Sequence, residues 1–162
     1  MSFLDMRTVL FTGVIIGAMC TFVVASLWRE NRKRFDGMAF WMIDLGLQTV
    51  GLLLIILRGA VSDLVSIVLA NTLVVVGAFM GLLGLSRFIG ARCLQIHNIV
   101  LLAAFPLVHA YFTFTVQSLT ARNLNASLSL LVLCSQCLWL LHRRTPADMR
   151  PFMRWLTAVF TL

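Results

Sequence analysis

The sequence predicts an all-α fold, a polytopic transmembrane helical bundle with five complete spans, a partial sixth and the N-terminus outside. Three observations predict it. Of the 162 residues, 60% are hydrophobic and only 12% charged, about half the charge of a soluble domain. The apolar residues gather into runs of about 20, long enough to cross a hydrocarbon core of roughly 30 Å. The cations sit at the ends of those runs, most densely in Trp28-Arg29-Glu30-Asn31-Arg32-Lys33-Arg34. A Lys/Arg knot beside an apolar run stays in the cytoplasm, so Arg29, Arg32, Lys33 and Arg34 set the topology.

The formal charge of +7 would point to nucleic acid in a soluble protein. Here its position at span ends has the positive-inside rule as its cause, and no nucleic-acid partner is expected. The first run is too long for a signal-peptide h-region and has no basic n-region, so it reads as a permanent span. Cys20, Cys93, Cys134 and Cys137 lie in or beside apolar runs, which argues against a disulfide framework.

The first span covers about 5–28. Gly13 and Gly17 form a small-xxx-small face, either a dimer face or an intramolecular groove. The second covers about 38–57 and begins with Trp41 as an interfacial anchor. Asp44 and Gln48 follow, one turn apart on one helix face. An ionised Asp at membrane depth costs a few kcal/mol, so Asp44 should face the bundle interior. It either pairs with a nearby cytoplasmic Arg or responds to a proton or ligand. Arg58 to Asp63 forms a tight external turn across which Arg58 and Asp63 could pair, worth at most about 1 kcal/mol.

The third span, about 64–85, carries Asn71 as an interhelical hydrogen bonder, worth about 0.6 kcal/mol. Gly77 and Gly81 give it a second packing face. A short cytoplasmic connection, 86–92, leads to the fourth span, about 94–117. There His97 and Asn98 are expected to be buried near the inner end, and Pro106 to kink the middle. His109, Tyr111, Phe112 and Phe114 suit the outer aromatic belt. The connection 118–123 precedes the fifth span, about 124–141, which stops at His142-Arg143-Arg144. The run 151–162 reaches only about 18 Å as a helix, so the spacing predicts that the chain stops partway through a sixth helix. With this topology ten cations fall inside and three (Arg7, Arg58 and Arg122) outside.

The chemistry-bearing patterns are few. Cys134 and Cys137 form a CxxC on one helix face, read as packing residues because a metal or redox site needs further ligands and water access. His97 and His109 are about 18 Å apart along one helix, too far to ligate one haem iron. No phosphate loop, metalloprotease motif or nucleophile elbow occurs. The sequence thus predicts neither a catalytic centre nor a cofactor. One external grouping survives, in which Arg58, Asp63, His109, Tyr111, Gln117 and Arg122 either line a shallow ligand-sensing pocket or serve as anchors and loop charges.

Several short words combine into a familiar order: Asp5-Met6-Arg7-Thr8, the knot Trp28 to Arg34, Phe40-Trp41 and Leu57-Arg58-Gly59. They continue with Ser66 to Asn71, Gly84 to Gly90, and Tyr111 to Phe114 with Arg122. In this the chain resembles the N-terminal multi-span membrane regions found ahead of GGDEF diguanylate cyclase domains in bacteria. The likeness covers essentially the whole chain and rests on hydrophobic words, while the GGDEF signature is not among these residues. The resemblance implies a signal-input and anchoring module of the bacterial inner membrane. Its partners would be the lipid bilayer and a second copy or other membrane proteins. Two rivals stand beside it: an accessory subunit of a larger membrane complex, and a small transporter or channel using Asp44, Gln48, Asn71 and Asn98 as its polar path.

Overall fold

The computed structural model describes residues 6–91 and 95–143. Arg144, Cys93, Arg92 and the expected partial sixth helix at 151–162 lie outside the described residues. Among these residues five α-helices in order, α1 Met6–Asn31, α2 Met38–Ile56, α3 Ala70–Phe88, α4 Ile96–Phe114 and α5 Leu119–Arg143, form a multi-pass bundle. Each belongs to a helical segment long and apolar enough to cross a membrane. Arg29 lies in the last turn of α1 and Arg143 ends α5, with Arg32, Lys33 and Arg34 exposed in the turn after α1. The end of the bundle that carries them is called the basic end below.

Helix boundaries follow local chemistry. α1 stays helical through Arg29 to Asn31, beyond its apolar run, and Asn31 closes it with a side-chain bond to the Leu27 carbonyl at 3.1 Å. The chain reverses at Gly37, whose φ of 96° suits glycine. A side chain there would also strike the backbone of α3 at Gly84 and Phe88. Ahead of α3 the helix opens as a π-helical stretch, Leu64–Leu69, in which Ala70 N–H reaches back to the Val65 carbonyl. No sequence signal announced that widened turn. α5 begins five residues before the expected 124, because Ser118 Oγ accepts from Ala121 N–H at 3.3 Å and starts the helix early. The expected loop 118–123 is therefore mostly helix, and Arg122 lies on its first turns.

α3 is the centre. Val75, Phe79 and Leu82 of α3, Phe105 of α4, and Leu133 and Leu140 of α5 are buried together. α1 packs on α2 alone among the described residues. The outward faces are apolar: Phe22 is 74% exposed and Leu107 73%. Such side chains would be liabilities in water and are ordinary against lipid.

With lipid as apolar as leucine, packing rather than expulsion from water must hold helices together, and small residues permit it. On α3, Gly77, Gly81 and Gly84 face α2, where Gln48, Asp44 and Trp41 meet them in antiparallel order. Trp41 Nε1 donates to the Gly81 carbonyl at 3.2 Å. Gly51 of α2 lies against Ala70 and Val74, extending the seam. Gly13 and Gly17 face Leu52 and Thr49 of α2, so this face is an intramolecular groove.

Polar side chains within the spans mostly satisfy themselves locally. Thr12, Thr21, Thr49, Thr72 and Ser129 each donate to the carbonyl four residues back, the usual solution where water is absent. Asn71 does likewise, giving its amide to the Ile67 carbonyl at 2.7 Å. The expectation of an interhelical bond from Asn71 is corrected on this point, since its own helix supplies an acceptor within reach.

Candidate functional site

Polar side chains gather at several places within and at the ends of the bundle, three of which involve residues singled out from the sequence. Near the basic end, Asn98 is fully buried between α4 and α5. Its amide donates to Gln136 Oε1 at 2.8 Å and to Gln95 Oε1 at 2.6 Å, while Gln136 Nε2 donates back to Asn98 Oδ1 at 2.8 Å. His97, expected to be buried, is exposed. Consecutive helical residues point about 100° apart, so placing Asn98 in the interface turns His97 to its rim. There its Nε2 lies 3.2 Å from Gln136 Oε1. Gln95 and Gln136 were not singled out from the sequence, where a lone Gln among apolar residues carries no distinguishing signal.

The second grouping is Asp44 with Gln48. Gln48 Nε2 donates to Asp44 Oδ1 at 2.6 Å, and both lie over the glycines of α3. No ion pair forms among the described residues, so the pairing of Asp44 with a nearby cytoplasmic Arg is not found there. The CxxC residues divide: Cys134 is exposed, whereas Cys137 is half-buried and packs on the core.

The third grouping lies at the end opposite the basic one. Two adjoining cavities of about 260 and about 190 Å³ share Arg58, Ile67 and Arg122 in their walls. The larger adds Asp63, Thr113 and Gln117. The smaller adds Ser66, Asn71, His109 and Asn123. Of the six residues expected together, Arg58, Asp63, Gln117 and Arg122 line the larger cavity, and His109 joins Arg58 and Arg122 in the smaller. Tyr111 is the exception: it is 52% exposed, stands edge-on to Phe112, and lines neither cavity.

Each wall is delivered by a different element. α2 ends at Ile56, and the tight turn after it carries Arg58, held by a bond from its N–H to the Ile55 carbonyl at 3.2 Å. The π-helical stretch turns Ser66 and Ile67 inward, both buried. α4 contributes His109 and Thr113, one turn apart, with Thr113 Oγ1 donating to the His109 carbonyl at 2.7 Å. The early start of α5 carries Arg122 inward. Gln117 adopts a left-handed φ of 49° in the α4–α5 link, a conformation that costs a non-glycine residue about 1–2 kcal/mol. Arg58 and Asp63, although both at the mouth, do not pair.

His109 departs most from its expected place. Instead of joining the outer aromatic belt it is 2% exposed and stacked on Phe105, with ring centroids 5.1 Å apart. Among the described residues neither of its ring nitrogens has a hydrogen-bond partner, and Arg122 Nε is likewise buried without one. An unpaired buried polar group costs about 1–3 kcal/mol, more when it is charged. All three atoms belong to residues in the wall of the smaller cavity.

No family model, no curated protein and no solved structure matches the chain.

Proposed function

We propose that this chain is the membrane-embedded signal-input and anchoring module of a bacterial signalling protein, seated in the inner (cytoplasmic) membrane with its N-terminus periplasmic. One observation carries the reading. The pocket opposite the basic end is walled by the end of α2, the π-helical stretch, α4 and α5, and His109 and Arg122 in its wall carry buried nitrogens without partners among the described residues. A ligand there touches four elements at once and so can bias their relative placement. The distribution of cations supports the orientation, with the pocket outside and Arg29 to Arg34 inside.

The route inward is the glycine seam between α2 and α3. A seam of small residues has few alternative packings, so a shift at one end of α2 moves Trp41 and Asp44 along α3 as a unit. The output is a population shift between two helix arrangements, sensed by cytoplasmic domains in a dimer. The resemblance to membrane regions of GGDEF proteins supports a diguanylate cyclase as that output.

The deciding experiment is the intact mass of the native protein together with whatever co-purifies with it. A mass well above 18.1 kDa, with a soluble cytoplasmic portion that makes cyclic dinucleotide, supports the module. A mass near that figure, with fixed membrane partners, replaces it with an accessory subunit.

A further inference from the structure

The chemistry of the pocket narrows its ligand. Among the described residues its cationic groups are the Arg58 and Arg122 guanidiniums, and Asp63 at the mouth is the one acid in either wall. Arg58 and Arg122 against Asp63 leave one net positive charge, the complement of a single negative charge. Guanidinium forks match planar or tetrahedral oxyanions better than any other common ligand group. The unpaired Arg122 Nε is one arm of such a fork, and it is already stripped of solvent. The imidazole of His109 adds one N–H donor and one acceptor nitrogen, which suits an oxyanion with a hydroxyl beside it. Thr113, Asn123 and Gln117 supply further polar edges.

We propose that the pocket binds a monoanionic oxyanion, a carboxylate or a phosphate group, between Arg58 and Arg122 with His109 at its inner end. The oxyanion comes either from a small free acid or from a phospholipid headgroup, because the mouth lies where a span meets the membrane surface. Charge supplies the affinity and the buried His109 sets the depth to which the ligand enters. A cationic or wholly apolar ligand would leave Arg122 Nε desolvated and unpaired, so the site discriminates against both. The proposal rests on the input reading for its biological meaning, but binding is testable without it.

The experiment is NMR of ¹⁵N-histidine-labelled full chain in a neutral maltoside detergent free of phosphate. The resonance lost in His109→Gln identifies the probe, and the His97 resonance at the far end reports an intact fold. Inorganic phosphate and lactate are titrated as free oxyanions, and phosphatidylglycerol nanodiscs are compared with neutral galactolipid nanodiscs. A saturable shift of His109 with phosphate or lactate, weakened at least about tenfold by Arg58→Gln or Arg122→Gln, supports a free acid. A shift with phosphatidylglycerol alone, with the same dependence on the arginines, supports a headgroup. Asp63→Asn, at an exposed position, should tighten binding about two- to fivefold, which keeps the test alive if an arginine variant does not fold.

No shift with any probe, or a shift unaffected by both arginine variants and by Asp63→Asn, overturns the proposal. A shift driven by ethylammonium instead of the anions overturns it too, yet leaves an input pocket in place. Failure of the input reading itself is seen separately, in the intact mass and the fixed partners.

Discussion

Asp44 of α2 lies in the space that Gly81 of α3 leaves open: a Cβ at Gly81 would stand 2.6 Å from Asp44 Oδ2. A carboxylate at membrane depth is thus seated against glycine backbone, with Gln48 as its hydrogen-bond partner. Gly81→Leu should separate α2 from α3, lowering stability by about 1–3 kcal/mol through overpacking. The protein should still insert, because the change adds apolar surface. Asp44→Ala should recover part of that loss, and a double-mutant cycle in unfolding experiments measures the coupling. In the intact signalling protein, Gly81→Leu should also change output at unchanged expression.

The reciprocal amides of Asn98 and Gln136 give a second coupled pair. Removing either alone strands its partner between α4 and α5, at a cost of about 1–3 kcal/mol. Removing both, as Asn98→Leu with Gln136→Leu, should cost less than the sum of the single changes. Steric trapping or denaturant unfolding in mixed micelles checks the sign. Simple additivity would mean that the two amides act independently.

His109→Phe replaces a buried ring that has no partner by an apolar ring of similar shape beside Phe105. Without ligand the variant should be as stable as the parent or more stable, since an unsatisfied group disappears. It should also lose the response to oxyanions. Thermal unfolding in detergent measures the first effect and ligand titration the second. A large loss of stability without ligand would show that the imidazole holds the protein together by itself.

Gln117 occupies the left-handed region, where glycine is at ease. Gln117→Gly should therefore change stability by no more than about 1 kcal/mol, relief of strain opposing the greater freedom of the unfolded chain. The loop geometry should persist, with the Ser118 N–H still bonded to the Phe112 carbonyl, which is 3.1 Å away. Slow exchange of that amide is the observable.

Orientation is open to chemical labelling. A cysteine placed at Asp63 should react with a membrane-impermeant maleimide added outside cells, and one at Lys33 only after lysis. The reverse pattern would invert the topology and move the pocket to the cytoplasm.

Much of this architecture was legible because length and apolarity are summed over about 20 residues, so errors at single positions cancel. α2 begins and ends within one residue of expectation for that reason. Burial of a single polar residue has no such averaging. His97 and Asn98 are neighbours with similar polarity, and a rotation of one residue decides which enters the interface. The start of α5 was hidden because Thr120, Arg122 and Asn123 dilute its apolarity, although Ser118 was present as a cap. The pocket was legible as a set of residues brought to one end by the alternation of spans. That His109 turns inward while Tyr111 turns outward depends on helix rotation set by the packing of Phe105, a contact that no spacing in the sequence records.

Because α1 rests on α2 alone among the described residues, the surface it docks on does not exist until α2 has been made. During synthesis α1 emerges ahead of α2 and lacks that surface until α2 follows it. Gly17 and Thr49 then close the pair into a hairpin. Among the described residues α3 meets α2, α4 and α5 but not α1, so a fault in seating α1 would leave the contacts of α3 in place.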